Sequence, residues 1–349
     1  MLALRHRRDG DGAVLDARST TCIKGILCIY VMLHNLGLDL ENGELKELVC
    51  EHAGGVGVGL FFFLSAFGII RSYQARGTNY LVKLLLVHVP KLWLVAVFIN
   101  ALTYLSFSRG AYERVDMWLR ILNLDLFNNF NRINRHGWYI ASILALYVIF
   151  AIVYFACSKL KSENKLVIAC VIMSAVSVGF RIAAHIADNG GMYTREMPAF
   201  AIGCIYATFY EKINALAKKY FATGLSVTII AFVLGFLFFE PIATYAAALI
   251  IIIISQRFTY YNGVTFFLGK ICIGVYLFLH YSSIVLWGFL DREYLWVLLN
   301  AGFIIEVAVM IYAVQYAIDL LVKRFCAKIF ARNFSNIYTC VTVIERFYA

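Results

Sequence analysis

The sequence predicts an all-α integral membrane protein, a bundle of about ten transmembrane helices with both termini in the cytoplasm. Three observations lead to this prediction. Hydrophobic residues make up 62% of the chain and charged residues only 15%, whereas a soluble domain has roughly 45–50% and 25%. Apolar runs of about 20 residues, the length that crosses a hydrocarbon core of ~30 Å, recur along the whole chain. Lysines and arginines collect on one set of the connecting segments.

The apolar runs indicate where each helix lies. They cover residues 21–39, 54–73, 90–107, 137–157, 166–184, 197–211, 221–239, 241–256, 264–289 and 294–321. Pro241 separates the seventh run from the eighth, because a proline inside one long helix would interrupt its hydrogen-bond ladder. Residues 1–18 are predicted to be a flexible basic tail, residues 19–322 the transmembrane domain and residues 323–349 a basic, aromatic tail.

Charge placement supports this topology, since the cytoplasmic loops of membrane proteins are rich in lysine and arginine. With the N-terminus inside, 22 of the 31 basic residues fall on inner segments, and the outer loops hold 13 of the 21 acidic residues. Both termini are therefore predicted to be cytoplasmic. The net charge of +10 then reflects topology and attraction to anionic membrane lipid, and nucleic acid is not expected as a partner.

Motifs of soluble cofactor-binding enzymes are missing from the sequence. The nine cysteines include no CxxC pair, and only Cys50 falls in a predicted outer loop, so neither a disulfide framework nor a metal site is expected. Gly55 and Gly59 resemble part of a dinucleotide-binding motif, but they enter an apolar span and do not follow a strand. A close helix contact through small residues is the favoured interpretation. No tightly bound cofactor is expected.

Ionisable side chains inside the spans are the candidate functional residues, because a charge in hydrocarbon is costly and by default faces the bundle interior. Lys24 and His34 both lie in the first span. A neutral imidazole can donate from one nitrogen and accept at the other, as a general base must. Lys24 lies near the inner mouth, where it could also reach lipid headgroups. Because His34 lies ten positions after Lys24, it is rotated by about 80° around the helix, so Asn35, not His34, stacks over Lys24.

Later spans carry further candidates. Asp319, at the cytoplasmic end of the last span, is expected to be solvent-exposed, whereas Glu306 is deep enough for either a structural or a functional role. The remaining candidates are Arg181, His185 and His280.

Five segments occur along the chain in a defined order: STTCIKGILCIYVMLHNL, GVGVGLFFFLSAFGIIRSY, GWYIASILALYVIF, REMPAFAIGCIYA and LGKICIGVYLFLHY. Their order and spacing resemble the acyltransferase 3 family of integral membrane acyltransferases, and the resemblance covers roughly residues 18 to 321. It implies a multi-pass protein of the inner (cytoplasmic) membrane. The implied reaction transfers an acyl group, usually acetyl, from acetyl-CoA as co-substrate to a hydroxyl of a cell-surface or lipid-linked carbohydrate.

The resemblance also implies roles for particular residues. The family's first helix carries an arginine followed eleven positions later by a histidine. Here those positions hold Lys24 and Asn35, and His34 lies one place earlier. By resemblance, His34 is the base, Lys24 binds or orients the donor, and Asn35 is a hydrogen-bonding partner or oxyanion donor. His280 matches the family at the end of YLFLH, where it either lines the same cavity or makes an interhelical hydrogen bond.

Because CoA carries phosphates, a basic inner mouth is expected for the donor. Arg71, Arg76 and Lys91 are the predicted donor-binding residues, although the topology rule alone accounts for any single one of them. Further candidates are Lys24, Lys83 and His88.

Two other functions stay open. Asn35 in place of a histidine would suit a catalytically degenerate member that binds or passes a glycan intermediate. A secondary transporter is the other alternative, but the sequence shows neither the inverted repeats nor the matched broken helices that mark many transporters. The sequence leaves open which glycan and which acyl group are used, and the oligomeric state.

Overall fold

The structure, a computed structural model, describes residues 4–7, 12–38, 53–107, 114–124, 133–134, 137–186, 196–286 and 294–333. In chain order, the elements are β1 (Leu4–His6), α1 (Ala17–Leu38), α2 (Ala53–Arg76), α3 (Thr78–Lys83), a π-helical turn (Leu84–His88), α4 (Val89–Phe107), α5 (Arg114–Ile121), α6 (Gly137–Ser158), α7 (Lys165–Ile186), α8 (Ala199–Thr208), α9 (Tyr210–Lys219), α10 (Phe221–Phe238), α11 (Glu240–Ile254), β2 (Phe258–Tyr260), α12 (Gly263–Leu286) and α13 (Tyr294–Asn333).

Each predicted span coincides with a helix. Within the described residues, seven helical segments are long and apolar enough to cross a membrane. They are 17–37, 54–76, 78–106, 137–158, 165–183, 221–238 and 296–325. Three shorter apolar helices correspond to the other predicted spans, namely Ala199–Thr208, Glu240–Ile254 and Gly263–Leu279. The protein is therefore an all-α, multi-pass membrane protein, while the number of crossings and the side of each terminus stay predictions.

Helices α1 and α2 are antiparallel neighbours, and their termini define the two ends of the bundle. The His34 end is the end at which α1 finishes at Leu38 and α2 begins at Ala53. The Arg76 end is the opposite one, at which α1 begins and α2 finishes. Helix α12 runs parallel to α1, since Cys22 lies beside Asn262 and Gly25 beside Thr265.

Helix α2 lies at the centre of the bundle. Its span is 78% buried, compared with 11% for the span of α10, and it contacts α1, α8 and α11. Glycines on α2 let two of these neighbours approach. A methyl group at Gly57 would lie 2.6 Å from Val31 of α1, and one at Gly59 would lie 2.3 Å from Thr244 of α11. The predicted small-residue contact is thus present at Gly59.

The closest helix pair is α1 with α12, where two glycines bring the backbones together. A methyl group at Gly25 would lie 1.8 Å from the Thr265 carbonyl oxygen, and one at Gly269 would lie 1.9 Å from the Thr21 carbonyl oxygen. Neither position has room for any other residue. This double contact fixes which face of α1 points at each neighbour.

The N-terminal segment, predicted to be a flexible tail, contains a short strand at the Arg76 end. Strand β1 pairs antiparallel with β2, with Leu4 opposite Tyr260 and His6 opposite Phe258. The Asp16 carboxylate accepts a hydrogen bond of 2.7 Å from the Ser19 amide, which caps α1 and explains why the helix begins at Ala17.

The segment between α4 and α6 folds back against the bundle. The Trp93 indole donates to the Leu122 carbonyl (2.7 Å), the Asn100 amide to the Arg120 carbonyl (3.1 Å) and the Asn134 amide to the Leu277 carbonyl (2.7 Å). Backbone at this depth needs such partners because lipid cannot supply them. The described part of this segment is therefore bound to α4 and α12.

We expect Gly25→Ala and Gly269→Ala each to destabilise the protein, because a methyl group at either position meets backbone that cannot rotate away. Overpacking of this kind costs about 1–3 kcal/mol. Thermal unfolding in detergent, followed by size-exclusion chromatography, measures the effect. Gly68→Ala is the matched control, since a methyl group there has no neighbour within 4 Å. Equal unfolding temperatures for Gly25→Ala and Gly68→Ala would contradict the proposed contact.

Candidate active site

A cavity of about 100 Å³ lies in the middle of the bundle, between α1, α2, α4, α6 and α12. One amine, one thiol and four hydroxyls form its polar lining: Lys24, Cys272, Ser65, Tyr139, Tyr147 and Tyr276. Its apolar lining is formed by Val58, Phe61, Leu92, Ile140, Ile143 and Ile273.

Helical spacing explains how each helix presents several side chains to the cavity. Tyr139, Ile143 and Tyr147 follow one another at intervals of four residues along α6, which places them on one face. On α2, Val58 and Ser65 are separated by seven residues, two turns or about 10 Å along the axis. The cavity therefore extends from a Ser65 end to a Val58 end, and the Val58 end lies about one turn of α2 from Gly54.

The polar groups of the cavity interact with one another. The Ser65 hydroxyl lies near the Tyr139 and Tyr147 phenols. The Lys24 amine and the Cys272 thiol are close enough for an electrostatic interaction. The Tyr139 ring packs edge-on against Tyr276, with 5.4 Å between ring centroids. An amine and hydroxyls held in a low-dielectric cavity can stabilise an oxyanion.

His34 lies on a different face of α1 from Lys24, at the His34 end. The imidazole packs against Gly54, where a methyl group would lie 2.2 Å from Nε2. Tyr30, four residues earlier on the same face, packs against Gly57. His34 is not among the described residues that line the cavity. The rotation of about 80° between the two side chains accounts for this separation.

The other two predicted catalytic residues lie apart from the cavity lining or cannot be placed. The Asn35 amide donates a hydrogen bond of 2.8 Å to the Val31 carbonyl of its own helix. This bond pairs the Asn35 nitrogen with the backbone of its own helix. His280 belongs to α12, and its side chain lies outside the described residues.

A group of basic side chains, which we call the basic cluster, lies at the Arg76 end. Its members are Arg76, Lys83, His88, Lys91 and Lys323. Lys83 and His88 each interact electrostatically with other members of the cluster, and Lys91 and Lys323 pair with one shared carboxylate. That carboxylate belongs to Asp319, which forms ion pairs of 3.4 Å with Lys91 and 2.9 Å with Lys323.

The structure corrects the sequence prediction for Asp319. We expected a solvent-exposed carboxylate, but the side chain is only 16% exposed and bridges α13 to α4. Lysines from two helices converge on it, and a partly buried carboxylate is retained in such a place when it is paired. Four lysine and arginine charges against one carboxylate leave the basic cluster positive.

The basic cluster adjoins the cavity. Lys91 belongs to the cluster and the next residue, Leu92, lines the cavity. Tyr80 lies between them as well, with its ring 6.2 Å from the His88 ring and an electrostatic interaction with Tyr147. The π-helical turn that ends at His88 lies just before Pro90, whose missing N–H interrupts the regular helical ladder.

Arg71 is held away from the basic cluster. Five residues separate Arg71 from Arg76 along α2, so the two side chains are about 140° apart around the helix. The Arg71 guanidinium stacks on the Tyr210 ring at 4.1 Å and donates to the Gln74 side chain at 2.9 Å. The Tyr210 phenol in turn donates a hydrogen bond of 2.8 Å to the Val14 carbonyl. Arg71 thus supports the N-terminal segment.

A helical bundle with a polar cavity inside it and a cationic group at one end defines a multi-pass membrane protein with an internal site. The family model described as an acyltransferase domain matches residues 19–318, which is most of the chain. The protein therefore belongs to the acyltransferase 3 family and is a membrane acyltransferase. No curated protein and no solved structure matches the chain.

The family segments and the cavity coincide. Four of the five segments quoted above supply every lining residue except Leu92. Sequence reasoning missed most of these residues, because a serine, a cysteine or a tyrosine in an apolar helix carries no charge and does not stand out. The spacing of Tyr139 and Tyr147 on one face of α6 was the available signal.

We expect Gly54→Ala to lower acyl transfer while the protein stays folded, because the added methyl group displaces the His34 imidazole. A misplacement of this size costs about 10–100-fold in rate when the displaced group takes part in the chemistry. The turnover rate with labelled acyl-CoA is the measurement, with Gly68→Ala as the control. An unchanged rate for a Gly54→Ala protein of normal stability would show that the position of His34 does not matter for acyl transfer.

Proposed function

We propose that the protein transfers an acetyl group from a cytoplasmic acyl-CoA to a hydroxyl of a cell-surface or lipid-linked carbohydrate. The observation that carries this proposal is the cavity of about 100 Å³, lined by an amine and four hydroxyls and adjoining the basic cluster. A membrane acyltransferase needs a site for a polyanionic donor, donors to an oxyanion and protection of the thioester from water. The cavity and the cluster supply these three elements in adjacent places.

The basic cluster suits the phosphates of CoA. Lys83, Lys91 and Lys323 surround a single carboxylate, so the cluster attracts polyanions. The positive-inside rule assigns this end to the cytoplasm, where acyl-CoA is found. Arg76 and Lys91, two of the three predicted donor-binding residues, belong to the cluster, and Arg71 is assigned a structural role.

The acyl thioester then occupies the cavity. Lys24 and Ser65 lie toward the end that adjoins the basic cluster, while Val58, two turns of α2 away from Ser65, lies at the other end. The enclosed space suits a short acyl group, and it places that group about one turn of α2 from Gly54 and His34.

The chemistry requires one proton transfer and one displacement. His34 takes the proton of the acceptor hydroxyl, whose oxygen attacks the thioester carbon. The tetrahedral oxyanion is stabilised by donors lining the cavity, and the carbon–sulfur bond then breaks, with the CoA thiolate as the leaving group. Lys24 and His34 lie about 15 Å apart along α1, so Lys24 acts on the donor and His34 on the acceptor.

A catalytically degenerate protein is the second candidate, and the Asn35 side chain favours it. Its amide is committed to the Val31 carbonyl and stands where the family carries a histidine. Acyl transfer that appears only in an Asn35→His variant would support this alternative over the enzyme.

The test uses the purified protein in lipid vesicles that contain membrane glycan, with acetyl-CoA labelled in the acetyl group. We expect label in the glycan fraction, and loss of that label with His34→Ala. Mass spectrometry of surface glycans from cells with and without the gene provides the acetyl mass difference. Full transfer by His34→Ala would refute the assigned base, and unlabelled glycan with the unaltered protein would refute the function.

We expect Lys91→Gln to raise the KM for acetyl-CoA about tenfold, the loss typical of a hydrogen bond to a charged group. Asp319→Asn should leave that KM unchanged or lower it, because it removes the negative charge that pairs with Lys91 and Lys323. Initial rates at several salt concentrations measure both effects. Lys165→Gln, an exposed lysine at the start of α7, is the control, and an equal KM change there would indicate a nonspecific charge effect.

We expect Val58→Ala to shift donor preference from acetyl-CoA toward propionyl- and butyryl-CoA. Val58 is buried and closes the end of the cavity that holds the acyl group, and removal of its two methyl groups lengthens that space. Competition between the three donors measures the preference. Val171→Ala, on the exposed surface of α7, is the control, and an unaltered preference with Val58→Ala would place the acyl group elsewhere.

A further inference from the structure

A second cavity, of about 440 Å³, lies at the His34 end of the bundle. It is formed by the last turns of α7, the turn between α10 and α11, and the first turns of α11. Its lining includes Arg181, Phe236, Phe238, Phe239, Glu240 and Tyr245. None of the donor-binding or cavity residues assigned above takes part in it.

The lining joins aromatic rings to ionisable groups. Phe238 and Phe239 are 80% and 59% exposed, whereas Glu240, which directly follows them, is only 8% exposed. The exposed rings offer flat apolar surfaces, and the charged and phenolic groups beside them offer hydrogen bonds. This combination suits a sugar ring, which presents apolar C–H faces together with a rim of hydroxyls.

The charges of this region favour an uncharged ligand over a phosphate. Glu196 is buried next to Thr244, whose hydroxyl lies 3.4 Å from the Glu196 carboxylate. Tyr245 interacts electrostatically with both Glu196 and Arg181. Among the described residues of this region, two carboxylates and one guanidinium disfavour an anionic lipid headgroup, while sugar hydroxyls can donate to the carboxylates and accept from the guanidinium.

The cavity lies near the face of α1 that carries His34. Tyr30 interacts electrostatically with Glu240, and Tyr30 lies one turn from His34 on the same face of the helix. Both side chains pack against α2, Tyr30 at Gly57 and His34 at Gly54. A ligand in the cavity therefore approaches His34 from the side opposite the donor.

The rim of the cavity is apolar and belongs to the periphery of the bundle. Leu237 of the lining is 63% exposed, Ile182, the residue after Arg181, is 54% exposed, and the span of α10 is the least buried of the seven. A ligand that reaches the cavity along such a surface is one that the membrane itself carries.

We propose that this cavity binds the acceptor as a neutral sugar unit of a membrane-anchored saccharide. Phe238 and Phe239 stack on the ring, and Glu240, Arg181 and Tyr245 bind its hydroxyls. This assignment rests on the proposed acyltransferase function, whose acceptor it defines.

The test is photolabelling of the full-length protein in phosphatidylcholine nanodiscs with octyl glycosides that carry a diazirine on the alkyl chain. The panel is glucoside, galactoside, mannoside and N-acetylglucosaminide. We expect at least one probe to label the segment 236–245, with the label displaced by the free glycoside and not by octyl phosphocholine. Labelling of that segment by no probe, or displacement by octyl phosphocholine as well, would overturn the proposal.

Variants separate the cavity from general membrane partitioning. Phe238→Ala should reduce the labelling of this segment about tenfold, as loss of one stacked ring can. Glu240→Gln and Tyr245→Phe, which preserve shape, should each reduce it several-fold. Phe155→Ala, which removes a phenylalanine on the exposed surface of α6, is the control, and an equal reduction there would count against the cavity.

A donor assay distinguishes failure of this proposal from failure of the proposed function. If Phe238→Ala and Glu240→Gln leave the acceptor KM unchanged in a protein that transfers acetyl groups, the cavity is not the acceptor site and the enzyme assignment stands. If no acetyl transfer or acetyl-CoA hydrolysis occurs while the glycosides still label 236–245, the sugar site stands and the chemistry fails.

Discussion

Close contact of α1 with its two neighbours is the constraint on which the rest of the structure depends. Lipid provides no hydrophobic drive for one apolar helix to associate with another, so association relies on close packing. Gly25 and Gly269 bring α1 against α12, and Gly54 and Gly57 bring it against α2. Contacts on two sides prevent α1 from rotating about its axis. Lys24 is thereby held toward the central cavity, and His34 against α2.

Polar groups change in character along the bundle axis. Cations with a single shared carboxylate occupy the Arg76 end, hydroxyls and one amine occupy the middle, and carboxylates with Arg181 occupy the His34 end. This order gives the two ends opposite preferences for charge. On the proposed function, the anionic donor is attracted at one end and disfavoured at the other, so donor and acceptor would reach helix α1 by separate routes.

Much of the architecture could be predicted from the sequence, because each helix is specified by its own apolar run. The family was also predictable, since five segments in order carry it. Contacts between segments that are distant in the sequence could not be predicted. Arg71 and Arg76 looked equivalent as cations following an apolar helix, yet they point to different neighbours. Asp319 was expected to be solvent-exposed. Only one of its two partners, Lys323, is near it in the sequence, and the other, Lys91, is brought to it by the tertiary structure.

The sequence by itself determined that the protein lies in a membrane, where its helices are, which family it belongs to and how far His34 is rotated from Lys24 around α1. These properties depend on composition, on local spacing and on the geometry of a single helix. Only the tertiary structure decided that Ser65, Tyr139, Tyr147, Cys272 and Tyr276 share one cavity with Lys24, and that His34 lies outside it. The physical reason is that uncharged polar side chains carry little signal in an apolar helix until packing places several of them together.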